Sequence, residues 1–116
     1  QHVVTQAYCS ALPISYSGLE ASLWEPFARM VLEAAYEATF CAGLLNAAAT
    51  GNHRVLLTLL GGGAFGNSAP WIIAAIERAV ALHSNSGLDV AIVSYGKSKD
   101  FVRSLVSKYS NKSPRQ

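Results

Sequence analysis

The chain has 116 residues and a formal net charge of +2, which bounds it to one domain or a piece of one. Hydrophobic residues make up 51% of it but charged residues only 14%, well below the roughly one quarter usual in soluble domains; a surface so poor in charge is often covered by a partner. The positive charges gather after the last apolar run, at Lys97, Lys99, Arg103, Lys108, Lys112 and Arg115, and read as a solvated C-terminal helix rather than the basic stripe of a nucleic-acid binder; the longest apolar stretch, residues 34–49 with Glu37 inside it, is too short and too polar for a membrane span.

In chain order, residues 3–9 alternate β-branched and polar side chains and predict a first strand. Residues 10–18, with Pro13 and Ser17-Gly18, form a loop. Ser22 and Glu25 have the spacing of a capping box, and Pro26 suits a first helical turn, where its missing N–H costs little. The helix expected over residues 25–49 carries Phe27, Met30, Val31, Ala34, Ala38, Cys41 and Leu45 at helical spacing, the predicted core face. Glu25, Arg29 and Glu33 step four apart on a solvent face and can pair there. Gly51 suits a left-handed cap.

Residues 54–60 run into an unbroken apolar series, expected as a parallel strand buried on both faces. A glycine loop follows at 61–67. Residues 70–83 form a second helix with Trp71, Ile72, Ala75, Ile76 and Ala79 on its apolar side. A third strand is expected over 88–95, a basic last helix over 98–109 and a disordered tail over 111–116. The order β-α-β-α-β-α predicts an α/β unit, one domain over 1–110, with a parallel sheet and right-handed crossovers. The opening Gln1-His2-Val3 reads as mid-strand, as in a processed protein or the remainder of a longer one.

In open parallel sheets ligands bind beyond the carboxyl ends of the strands, and Gly61-Gly62-Gly63-Ala64-Phe65-Gly66-Asn67 lies at such an end. Glycines permit positive φ and let an anion approach converging backbone N–H groups. The helix starting near Asn67 or Ser68 adds its free N–H groups and its dipole. Phe65 offers a ring against which a sugar or base can lie. The loop lacks the lysine and Ser/Thr of a P-loop, and its spacing is not the dinucleotide fingerprint. A packing role, with the glycines making a tight turn and a close helix–sheet contact, stands beside the phosphate reading.

The run Val55-Leu56-Leu57-Thr58-Leu59-Leu60-Gly61-Gly62-Gly63-Ala64-Phe65-Gly66 resembles the second ligand loop of macro domains, the ADP-ribose-binding modules. The resemblance covers nearly all of this chain but only the C-terminal half of a macro domain, so the implied fold is macro-domain-like and truncated. It implies that Gly61 through Gly66 cradle a diphosphate, with Phe65 beside the distal ribose and Tyr95 near adenine. The family's opening strands, adenine-binding acid and first ligand loop have no counterpart here. Neither does the glycohydrolase signature of paired glutamates, since Asn67 and Ser68 follow the glycines. The resemblance therefore implies a binding module for ADP-ribose or a related nucleotide diphosphate rather than an enzyme. A non-catalytic, self-associating interaction protein with a remnant loop is the alternative, because a half domain leaves open edges. A hydrolase completed by a missing segment comes third.

Glu33 and Glu37 share a helix with Tyr36, and a carboxylate pair could do acid–base chemistry, but an exposed helix face is the better reading of them. His53 sits at the strand end away from the loop, and His83 in a helix's last turn, where it suits the dipole. Ser10 and Ser15 lie on the ligand side without a histidine–acid partner. Trp24 and Trp71 are expected as packing anchors. Cys9 and Cys41, in apolar surroundings, read as buried thiols of a reducing, cytoplasmic compartment, with no metal spacing around them. Expected partners are an ADP-ribose-like small molecule and a second copy or an N-terminal segment, with no cofactor, nucleic acid or membrane.

Overall fold

A computed structural model describes residues 4–62, 65–93 and 100–110. Its elements are a 3-10 turn at Ile14–Tyr16, helix α1 at Ala21–Thr50, strand β1 at Arg54–Leu57, helix α2 at Ala69–Leu82, strand β2 at Asp89–Ile92 and helix α3 at Asp100–Ser110. β1 and β2 pair in parallel, Arg54 with Asp89 through Leu57 with Ile92, and α2 is the crossover between them. The α/β class and the parallel pair agree with the sequence; the described order is α-β-α-β-α. The expected tail at 111–116 lies outside the described residues.

The expected first strand is absent from residues 4–9. Val4 and Tyr8 are exposed, while Thr5 Oγ1 donates to Asn46 Oδ1 and Cys9 Sγ lies 3.8 Å from the Ala35 carbonyl. This segment runs over α1 instead of pairing with a strand. Alternating β-branched residues mark a half-buried surface more than a backbone state, and among the described residues no strand pairs with them.

α1 is a single 30-residue helix. Its N-cap is Glu20, without a side-chain hydrogen bond, so the Ser22–Glu25 capping box does not form and Ser22 lies inside the first turn. Pro26 is within the helix, with no N–H to give the Ser22 carbonyl. Gly51, at φ +81°, caps the far end, its N–H reaching the Ala47 carbonyl at 2.8 Å.

The core face of α1 is not the predicted one. Ala28, Leu32, Ala35, Tyr36 and Phe40 are buried, whereas Phe27, Met30, Ala34, Ala38, Cys41 and Leu45 are exposed. The helix is apolar on two sides, and periodicity reports an apolar stripe without saying which one meets the sheet. The expectation of two buried thiols fails with it, since Cys41 is exposed and Cys9 only partly buried.

Val55 and Leu57 join side chains of α1 and α2 in one core, together with Ala11, Ile14 and Leu105. Leu56, on the other face of β1, remains 57% exposed, so β1 is covered on one face and not on both. Trp71, Ile72, Ala75, Ile76 and Ala79 are the buried side of α2, as expected. His83 caps α2 with its ring stacked on Phe40 at 5.3 Å. Among the described residues, no helix is long and apolar enough to cross a membrane.

Candidate functional site

The loop after β1 is shaped from three sides. Tyr36 of α1 reaches the end of the strand, where its hydroxyl donates to the Thr58 carbonyl and accepts the Leu60 N–H at 2.9 Å. The phenol is buried, and burial raises its pKa above the ordinary tyrosine value. It fixes the direction in which the chain enters the glycines.

Gly61 follows at φ +76°, where an L side chain is strained. A Cβ there would collide with Ala11 Cβ and stand 2.6 Å from Asn67 Nδ2. Asn67 then closes the loop on itself. Its backbone N–H donates to the Gly61 carbonyl at 2.8 Å, and its Nδ2 donates to the same carbonyl at 3.0 Å and to the Leu12 carbonyl at 2.9 Å. Asn67 is 5% exposed, and its Oδ1 is buried without a hydrogen-bond partner. Gly66, at φ +78°, lies against Ser15, whose Cβ would be 3.0 Å from an added methyl. Phe65 is half-buried and meets Tyr16 edge to face, with centroids 6.1 Å apart.

Gly61 and Gly66 are therefore demanded by the fold, through positive φ and through contact with residues 11–15. Gly62 is not: its φ is not positive, and an added Cβ would meet Ile72 Cδ1 at 3.5 Å and the Leu59 carbonyl oxygen at 3.8 Å, both ordinary contacts. Gly63, Ala64 and Tyr95 lie outside the described residues. Packing thus accounts for Gly61 and Gly66 and leaves Gly62 unexplained.

The start of α2 contributes less to an anion than its sequence promises. Ser68 is the N-cap without a side-chain hydrogen bond, Pro70 has no N–H, and the Trp71 N–H is turned back onto the Ser68 carbonyl at 3.1 Å. Any anion here must be held mainly by amides of the loop. Asn67 also has a structural role the sequence did not signal: an asparagine six residues after a glycine reads as a helix start, and only the approach of residues 11–12 reveals the clamp.

The remaining candidates are placed as follows. Glu37 pairs with Arg78 at 2.7 Å, and Glu33 lies 3.8 Å from the same guanidinium. The two carboxylates thus share one guanidinium on the surface, an arrangement that ties α1 to α2. Arg29 pairs with Glu25 at 3.2 Å, as the four-residue step predicts. Trp24 Nε1 donates to Ser17 Oγ at 2.9 Å and its ring rests on the core. His53 is exposed, at the β1 end away from the loop. Among the described residues no group of three His, Cys, Asp or Glu is placed to hold a metal ion.

A shallow surface depression of about 450 Å³ lies along α1, lined by Ser22, Glu25, Pro26, Arg29, Met30 and Glu33, and includes none of the loop residues. Compared with protein-family models, curated proteins and solved structures, the chain matches no family, no protein and no structure.

Proposed function

We propose that this chain is a binding module for ADP-ribose or a related nucleotide diphosphate, held at the loop from Gly61 to Asn67. The observation that carries the reading is a closed, glycine-lined turn at the carboxyl end of a parallel strand, with one glycine, Gly62, that packing does not require. The clamp from Asn67 to Gly61 and Leu12 fixes the two ends of the loop before any ligand arrives, which lowers the ordering cost of binding. In this reading backbone amides between the clamped ends hold the diphosphate. Phe65 lies beside the distal ribose, and Tyr95 approaches the adenine. The finer architecture, a truncated macro-like α/β unit, belongs to the same proposal.

Calorimetric titration with ADP-ribose, ADP and inorganic phosphate tests it. ADP-ribose should give a saturable heat, ADP a weaker one, and Gly62→Val should abolish both while leaving the circular dichroism unchanged. Absence of heat from all three at millimolar ligand would dispose of the reading.

The second reading, a non-catalytic self-associating protein, is favoured by the exposed apolar side of α1. Hydrolysis of ADP-ribose linkages has no comparable observation behind it, because the carboxylate pair on α1 is engaged by Arg78.

A further inference from the structure

The side of α1 opposite the core is a continuous apolar seam. Leu23, Phe27, Met30, Ala34, Ala38, Cys41 and Leu45 fall within an arc of about 80° at the 100° per residue of an α-helix, over a length of about 33 Å. All seven are exposed, Leu23 by 68%, Phe27 by 51%, Met30 by 55% and Leu45 by 73%. The seam carries no charge. The acidic residues flanking it, Glu33 and Glu37, are drawn back onto the chain's own α2 by Arg78.

The spacing of the seam is palindromic. From Leu23 the steps are four, three, four, four, three and four residues, and Ala34 is the midpoint. A two-fold axis through Ala34 sets Leu23 against Leu45, Phe27 against Cys41, Met30 against Ala38, and Ala34 against itself. Two of these pairings place a large side chain against a small one, and small residues at the centre let two helices approach to about 8 Å. A face that complements itself under a two-fold rotation is what an isologous dimer requires.

We propose that the seam on α1 is an antiparallel homodimer interface, with a second copy of this chain as its occupant. The area is adequate: facing two such seams removes roughly 1,000 Å² from water, the threshold of a specific interface. The proposal concerns a different surface from the glycine loop and stands apart from nucleotide binding.

Light scattering and directed crosslinking test it on the full chain. At about 100 µM, above the micromolar dissociation constant an interface of this kind supports, the native chain should scatter as a particle of twice its own mass. Ala38→Glu, at an exposed helical position, should scatter as a monomer with unchanged circular dichroism, and should keep any heat the native chain gives with ADP-ribose. In a background of Cys9→Ser and Cys41→Ser, Ala34→Cys should oxidise to a covalent dimer, since the dyad brings its two copies within the Cα separation of a disulfide. Native Cys41 should not link to its own copy, because the antiparallel register holds the two about 20 Å apart. A monomeric native chain, a dimer that survives Ala38→Glu, or Cys41 crosslinking in place of Ala34→Cys would each overturn the proposal.

Discussion

If Gly61 is held by its surroundings and Gly62 is not, single methyl groups added at the two positions must have unequal consequences. At Gly61 an alanine would adopt φ +76°, which costs an L-residue about 1–2 kcal/mol. Its methyl would also enter the space of Ala11 Cβ and Asn67 Nδ2, and overpacking of this kind costs about 1–3 kcal/mol. The shorter menu of unfolded conformations returns about 0.4–1 kcal/mol, leaving a net loss centred on about 3 kcal/mol. Gly87 is the control. It has the same sign of φ, +77°, but nothing within 4 Å of an added Cβ, so Gly87→Ala isolates the backbone term at about 1 kcal/mol. Gly62→Ala should stay within about 0.5 kcal/mol of the parent. Urea unfolding followed by circular dichroism measures all three, and a loss of this size at Gly61 lowers Tm by roughly 10–20 °C. A Gly61→Ala chain no less stable than Gly87→Ala would refute the steric account of the loop.

Two further outcomes follow from the same neighbourhood. Asn67→Ala removes both Nδ2 hydrogen bonds and should cost about 1–3 kcal/mol; Asn67→Asp should cost more, because a buried carboxylate oxygen would face the Leu12 and Gly61 carbonyls, and its urea midpoint should recover as pH falls towards about 4 and the acid protonates. Tyr36→Phe should cost about 1–3 kcal/mol by leaving the Thr58 carbonyl without its donor. Because burial raises the Tyr36 pKa in the folded state, the unfolded chain releases that proton first. Stability is therefore fully present below about pH 10, the ordinary tyrosine value, and falls as pH rises beyond it. Tyr36→Phe should flatten that alkaline decline in a pH series of urea midpoints, and an unchanged slope would argue against the assignment.

The elements from residue 54 onward were legible because each has a boundary signal that physics enforces locally. Gly51 ends α1, Arg54 opens an apolar run, Pro70 falls in the first turn of α2, and the Trp71–Ala79 stripe has only one apolar side to offer. What could not be read was set by tertiary contact. Residues 4–9 have the composition of a strand but lie across α1, where Thr5 and Cys9 meet Asn46 and Ala35. α1 has two apolar sides, and the choice between them depends on Tyr36 reaching Thr58 and Leu60, a contact 22 to 24 residues away in sequence. In the loop the glycine content was plain, but the division of labour was not. Gly61 and Gly66 answer to Ala11 and Ser15, neighbours that no local pattern announces.

Gly43 has a consequence of a different kind. It lies in the C-terminal third of α1, on the inner side, and a methyl group there would stand 2.7 Å from Val55 Cγ2. Helix and strand therefore share one pocket of volume, already filled from the strand side. A carbon atom gained at position 43 has to be surrendered at position 55, so drift at either site is tolerated only when the other drifts in the opposite sense. The two positions behave as a single residue divided between two stretches of chain.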